Sequence, residues 1–321
     1  MAYHGAVLAA LEEATGWDPR RAALVVGTSA GSLTASMLRA GLPAGDLAAV
    51  SEGMDLSEEG TRLADIGRPR RPRPTIGDAL AFRPVSDRRA VLHSLTHPWS
   101  LSARRLVVAA LPAGGISTSA ISAGVDALYG GDWPAAPTWL CAWDLRRGRR
   151  VVFGRPGAPQ ASVGQAVAAS AAVPAYFRPV EIGGRRYVDG GVHSMVNLDL
   201  VAGAGLDLVV TVSPLSQASA WPATSPAYLM RRPLRARLRA EVEALRATGV
   251  PVVAIQPGRT VAAAMGLNPM DAARRGDVSR ATRVGVGRWL REGVEGRRLA
   301  GILSGAAADQ AGGSGAVAPS A

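Results

Sequence analysis

The chain has 321 residues, 48% of them hydrophobic, which is enough for a sizeable core and favours one large α/β domain over two small ones. Its single cysteine, Cys141, excludes an intrachain disulfide and a cysteine-based zinc cluster. The formal charge of +11 rests on arginine alone in an alanine- and glycine-rich chain, so it reads first as a solvated arginine surface and second as attraction to anionic lipid; nucleic-acid binding would rest on charge alone.

Residues 1–20 lack the basic-then-apolar order of a signal peptide, and nowhere do about 18 apolar residues run together. The expectation is a cytoplasmic protein with at most peripheral membrane contact. In chain order, residues 5–15 place Val7, Leu8 and Leu11 on one helical face, with Gly16 as a stop. Residues 22–26 are a short apolar, β-branched run, hence a buried strand. Residues 27–31 form a turn, and 32–40 a helix closed by Gly41 and Pro43. Residues 51–105 are charged and rich in Pro and Arg, and the stretch 68–74 excludes a regular helix. They read as an irregular insertion with short helices. Residues 105–111, 138–143 and 150–153 predict strands, and 162–172 a helix of small residues ending before Pro174.

Residues 180–188 alternate around Gly183-Gly184, a two-residue hairpin signal. Residues 207–213 and 250–255 predict strands, and 229–247 a basic amphipathic helix. From about 306 the composition predicts a disordered tail. Strands alternating with helices indicate a mainly parallel, helix-covered sheet, in one domain over 1–305.

Gly27-Thr28-Ser29-Ala30-Gly31 has the form G-x-S-x-G and sits where such a motif must sit for chemistry, between a strand and a helix. A serine on that turn is forced towards strained backbone angles that only small neighbours such as Gly27, Ala30 and Gly31 tolerate. The turn exposes its hydroxyl at the positive end of the next helix, where amides can steady an oxyanion. The plainer alternative is a tight turn whose serine caps the helix. A serine nucleophile needs a base. His4, His93, His97, His193 and several carboxylates are on offer, and Asp189 stands out because Asp189-Gly190-Gly191 ends a strand and opens into two glycines. The local alternative there is an ordinary Asp-Gly turn. His193 with Asp144 is a rival base pair, but in the fold that uses such a triad several strands precede the nucleophile, and Ser29 comes early.

These residues together resemble the patatin-like phospholipases: Gly27-Thr28-Ser29-Ala30-Gly31-Ser32, then Ser170-Ala171-Ala172-Val173-Pro174, Phe177-Arg178-Pro179-Val180 and Asp189-Gly190-Gly191, in that order. The likeness runs from about residue 5 to residue 213 and is faint over 51–105. It implies a three-layer α/β/α fold and hydrolysis of lipid acyl esters. It further implies a Ser29–Asp189 dyad without histidine, an oxyanion donor at the Ala30 amide, and neither metal nor organic cofactor. Family members begin with an apolar strand and a glycine-rich loop that supplies most oxyanion donors. Here Met1 falls almost at the start of the first helix, so that strand and loop are expected to be missing. The expected outcomes are a truncated gene product, or a weak or inactive relative that binds lipid or a protein partner.

Trp99, Trp133, Trp139, Trp143 and Trp221 read mainly as core, with Trp99 and Trp221 the better candidates for a lipid interface. The helix over 229–247 sets Arg231, Arg232, Arg235 and Arg239 against Leu234, Leu238 and Leu245, a pattern suited either to an anionic bilayer or to packing on a sheet.

Overall fold

The computed structural model describes residues 1–67, 86, 108, 110–217, 225–268 and 270–312. In chain order the elements are α1 (Ala2–Thr15), β1 (Val25–Thr28), α2 (Ala30–Arg39), α3 (Ala44–Glu52), α4 (Glu58–Ile66), α5 (Ser119–Tyr129), β2 (Thr138–Asp144), β3 (Arg149–Phe153) and α6 (Val163–Ser170). There follow β4 (Val180–Ile182), β5 (Arg185–Asp189), β6 (Val209–Val212), α7 (Pro226–Arg246), β7 (Val252–Ile255), α8 (Arg259–Met265), α9 (Arg275–Glu292) and α10 (Val294–Gly312). This is an α/β fold. Its packing gathers into two compact units, one of Ala23–Ala40 and Thr61–Asn197, the other of Met1–Ala22, Gly41–Gly60 and Leu198–Ala321.

The unit that carries both sequence motifs is built on β2. β1 joins β2 in parallel, while β3 and β5 run antiparallel to β2 and β4 runs antiparallel to β5. The ladders are therefore mixed rather than mainly parallel. The reason lies in the connections. A helical crossover separates β1 from β2, but β2–β3 and β4–β5 are joined by short turns, which can link only antiparallel neighbours. The turn between β4 and β5 is the expected Gly183-Gly184, with φ 55° and 69°, the left-handed angles a twisted two-residue hairpin requires.

Leu140, Ala142, Phe153 and Tyr187 of this sheet pack with Ala166 and Val167 of α6 and Val125 of α5, all buried. The alanines of α6 let it lie close to the sheet. Its first turn is closed by a reciprocal cap between Ser162 and Gln165. Asp126 of α5 accepts from the Gly164 amide at 2.7 Å and the Ser162 hydroxyl at 2.9 Å, which ties that end of α6 down.

The other unit has a parallel pair, β6 and β7, in the register Val209 to Val252. Val7 and Leu11 of α1, Val278 and Leu290 of α9, and Leu299 and Leu303 of α10 form its core with Val253 and Ile255. α10 runs on to Gly312, past residue 306 where the sequence suggested a tail; Ala306-Ala307-Ala308 are strong helix formers. In α7, Arg231 is fully buried, on the face that carries Leu238, Val242 and Leu245. It therefore does not belong to the solvent face with Arg232, Arg235 and Arg239. Most of residues 68–109, including His93, His97 and Trp99, lies outside the described residues, as do Trp221 and 313–321; of the strand expected over 105–111, the described Val108 and Ala110 are helical instead. Among the described residues no helix is long and apolar enough to cross a membrane.

Candidate active site

β2 pairs on both sides. Leu140 faces Gly27 and Phe153, while Ala142 faces Asp189 and Val151. A strand has two edges, so β3 fills one of them, and β1 and β5 share the other, end to end. Thr28 lies opposite Cys141 and Asp189 opposite Ala142, adjacent positions on β2. The C-terminal ends of β1 and β5 thus converge, and the chain leaves the sheet at Ser29 and at Gly190 side by side.

Ser29 is forced off the strand with φ 56° and ψ −125°, a left-handed conformation that costs an L-residue about 1–3 kcal/mol. α2 begins at once, at Ala30 and Gly31. Gly27 is needed because a Cβ there would lie 2.5 Å from the Ser32 Cα. The Ser29 hydroxyl makes no capping bond to α2, so the plain helix-cap alternative does not describe it. The helix turn is closed instead by Ser32, whose amide and hydroxyl donate to the Ser29 carbonyl at 2.9 and 2.6 Å.

Asp189 is buried, with 5% of its surface exposed. Its Oδ1 accepts from the Gly191 amide at 2.7 Å, so the Asp-Gly turn is real as well. Burial pushes its carboxyl up from 3.8 to about 6, and hydrogen bonding by the Ser29 hydroxyl and then by the Gly191 amide partly opposes that rise. Ser29 is thus among the groups that face the Asp189 carboxyl. Gly190 packs against the Cys141 carbonyl so closely that a side chain would collide with backbone, which explains the first glycine after the aspartate.

His193 is stacked on Trp143, ring centroids 6.0 Å apart. Asp144 is the next residue of β2, so its side chain points to the opposite face of the sheet from Trp143. It accepts from the Arg147 amide at 2.8 Å and faces Arg185 at 3.9 Å. A triad in which Asp144 orients His193 is not formed. His4 lies in α1, where burial and the neighbouring chain amino group push its pKa down to about 3. Among the described residues no group of three or more His, Cys, Asp or Glu side chains is placed to hold a metal ion.

Residues 1–202 match the family model for patatin-like phospholipase, close to two thirds of the chain. The chain belongs to the patatin-like phospholipase family. Comparison with curated proteins gives no match. Membership supports lipid acyl hydrolase activity in general.

Two residues of this patatin-like site carried no role in the sequence. Asn197 is fully buried and lends its amide to the Thr28 hydroxyl at 3.0 Å and to the Ser194 carbonyl at 2.7 Å. Its φ of 52° suits asparagine, which tolerates the left-handed region better than most residues. Ser170 accepts a hydrogen bond from the Ser29 amide at 3.0 Å. Its signal in the sequence was its place at the head of the Ser170-Ala171-Ala172-Val173-Pro174 block, at the end of an alanine-rich helix.

Proposed function

We propose that this chain is a serine acyl hydrolase acting on lipid or other carboxylic esters through a Ser29–Asp189 dyad. The observation that carries the reading is the convergence of Ser29 and Asp189 at the ends of β1 and β5, with the Asp189 carboxyl buried and its pKa pushed up to about 6. A carboxylate with that affinity for protons is ionised at neutral pH yet basic enough to take a proton in a transition state.

In acylation, Ser29 Oγ attacks the ester carbonyl carbon and its proton passes to Asp189. The carbonyl oxygen becomes an oxyanion, for which the Ala30 amide and the positive end of α2 are the donors nearest the nucleophile. Collapse expels the alcohol, which takes the proton from Asp189, and leaves an acyl ester on Ser29. Water then attacks that ester, losing its proton to Asp189, and the acid departs as Ser29 regains its hydrogen. No cofactor enters these steps. The arginine excess favours anionic lipid as the surface on which substrate is met.

Labelling the intact chain with a fluorophosphonate and locating the adduct by peptide mass tests this. The adduct is expected on Ser29, with Ser29→Ala unlabelled. Asp189→Asn should lose nearly all hydrolysis of a short p-nitrophenyl ester, and His193→Ala should keep most of it. A His193→Ala variant as damaged as Ser29→Ala, with folding intact, rejects the dyad. A folded parent that takes no label and binds lipid without turnover rejects the enzyme.

A further inference from the structure

Ser170, the last residue of α6, is fully buried, and its oxygen accepts the Ser29 amide at 3.0 Å. Two residues on, the Ala172 carbonyl accepts the Asp189 amide at 2.9 Å. One three-residue segment thus holds the backbone of both halves of the dyad. We infer that Ser170 is a positioning residue of the nucleophile, fixing the strained Ser29 backbone and, with the Ala172 carbonyl, its offset from Asp189. The inference rests on the Ser29–Asp189 reading.

Ser29 follows the last residue of β1 and precedes the first of α2, so its amide has neither a ladder partner nor an acceptor one turn earlier. A partly buried amide left without an acceptor carries a desolvation cost, and the Ser170 hydroxyl supplies an acceptor. Without it, the cheapest relief is rotation of the 28–29 peptide, which also relaxes the unfavourable φ of 56° and re-aims the Ser29 hydroxyl. α6 cannot slide to compensate, because Asp126 holds its other end through the Gly164 amide and the Ser162 hydroxyl.

A consequence for the chemistry follows. With the Ser29 amide committed to Ser170, the elbow's own oxyanion donors are reduced to the Ala30 and Gly31 amides at the start of α2. Ser170 therefore acts on the orientation of the attacking oxygen and on acylation, and leaves the binding of the rest of the substrate alone. That split separates it from a residue that only maintains the fold.

The test is to compare Ser170→Ala and Ser170→Thr with the parent and with Ser29→Ala, on the full chain. For Ser170→Ala, kcat and the rate of fluorophosphonate labelling should fall roughly 100-fold, as for a misplacement of about 1 Å, with KM nearly unchanged. Ser170→Thr, which keeps the acceptor oxygen, should recover at least tenfold of that loss. Equal labelling rates in parent and folded Ser170→Ala overturn the inference, as does a loss that appears only in KM. Should Ser170→Ala fail to fold, amide hydrogen exchange on the parent decides. The Ser29 amide should be strongly protected, and fast exchange there overturns the inference. Hydrolysis that survives Ser29→Ala instead overturns the dyad, an outcome distinct from a Ser29-dependent enzyme indifferent to Ser170.

Discussion

Asn197 donates through Nδ2 to the Thr28 hydroxyl at 3.0 Å, one residue before Ser29, while its Oδ1 accepts from Arg150 of β3 at 2.8 Å. The segment beyond Asp189-Gly190-Gly191 is thereby stitched to the end of β1. Asn197→Ala should cost about 1–3 kcal/mol, since it strips partners from buried polar groups and puts a less tolerant residue at φ 52°. Asn197→Asp keeps the acceptor for Arg150 but loses the donor to Thr28 and Ser194. Urea melts should rank the parent above both variants. Variants as stable as the parent would show that this stitch is energetically idle.

Gly27→Ala probes the crossing of β1 and α2. The added methyl would meet the Ser32 Cα at 2.5 Å, and backbone, unlike a side-chain tip, cannot swing aside. The expected loss is about 1–3 kcal/mol with a displaced elbow, read as a lower Tm and slower labelling of Ser29. An unchanged labelling rate would mean that the elbow tolerates a wider crossing.

The parts of this site that sequence made legible are local. The G-T-S-A-G turn and the Gly-Gly hairpin each announce themselves because a special backbone angle falls on a small residue between apolar runs. The strand before the elbow was placed a few residues early, since the apolar run begins at Ala22 whereas β1 begins only at Val25. What could not be read is non-local. Nothing in residues 25–28 or 185–189 says that β1 and β5 share one edge of β2, and the proposed dyad depends on that meeting. Arg231 misled for a related reason. By residue type it belonged with the polar face of α7, whereas its spacing of seven, eleven and fourteen from Leu238, Val242 and Leu245 put it on the buried one.

Membrane contact, if it follows the arginines, should involve the exposed face of α7 rather than Arg231. Arg232 and Arg235 are exposed, and Arg239 is exposed but paired with Glu243 at 2.7 Å. The expectation is co-sedimentation with phosphatidylglycerol vesicles above that with phosphatidylcholine, weakened by salt because exposed charges are screened within about 10 Å at 0.1 M. Arg232→Glu with Arg235→Glu should reduce it further. Equal partition to both vesicles would return the charge to a solvated surface.

The Asp189 carboxyl links activity and stability to pH with opposite signs. As a base it must be ionised, so kcat/KM for a soluble ester should fall as pH drops below about 6, with a single-proton slope. For stability the folded pKa lies above the unfolded 3.8, so between these values the folded chain holds the proton more tightly. That contribution to stability is fully present below the unfolded value, is lost as pH rises to about 6, and is flat above. The ionised, buried carboxylate is therefore a cost borne at neutral pH, of order 1–3 kcal/mol. Asp189→Asn removes the charge and keeps an oxygen to accept the Gly191 amide. It should be inactive at every pH, yet more stable than the parent at pH 8 and close to it near pH 4. Paired thermal melts across that range, beside a pH–rate profile of the parent, check both halves. A stability difference between parent and Asp189→Asn that does not change with pH would mean that this carboxyl does not titrate in the fold as its burial demands. A pH–rate profile flat through 6 would remove Asp189 from the role of base.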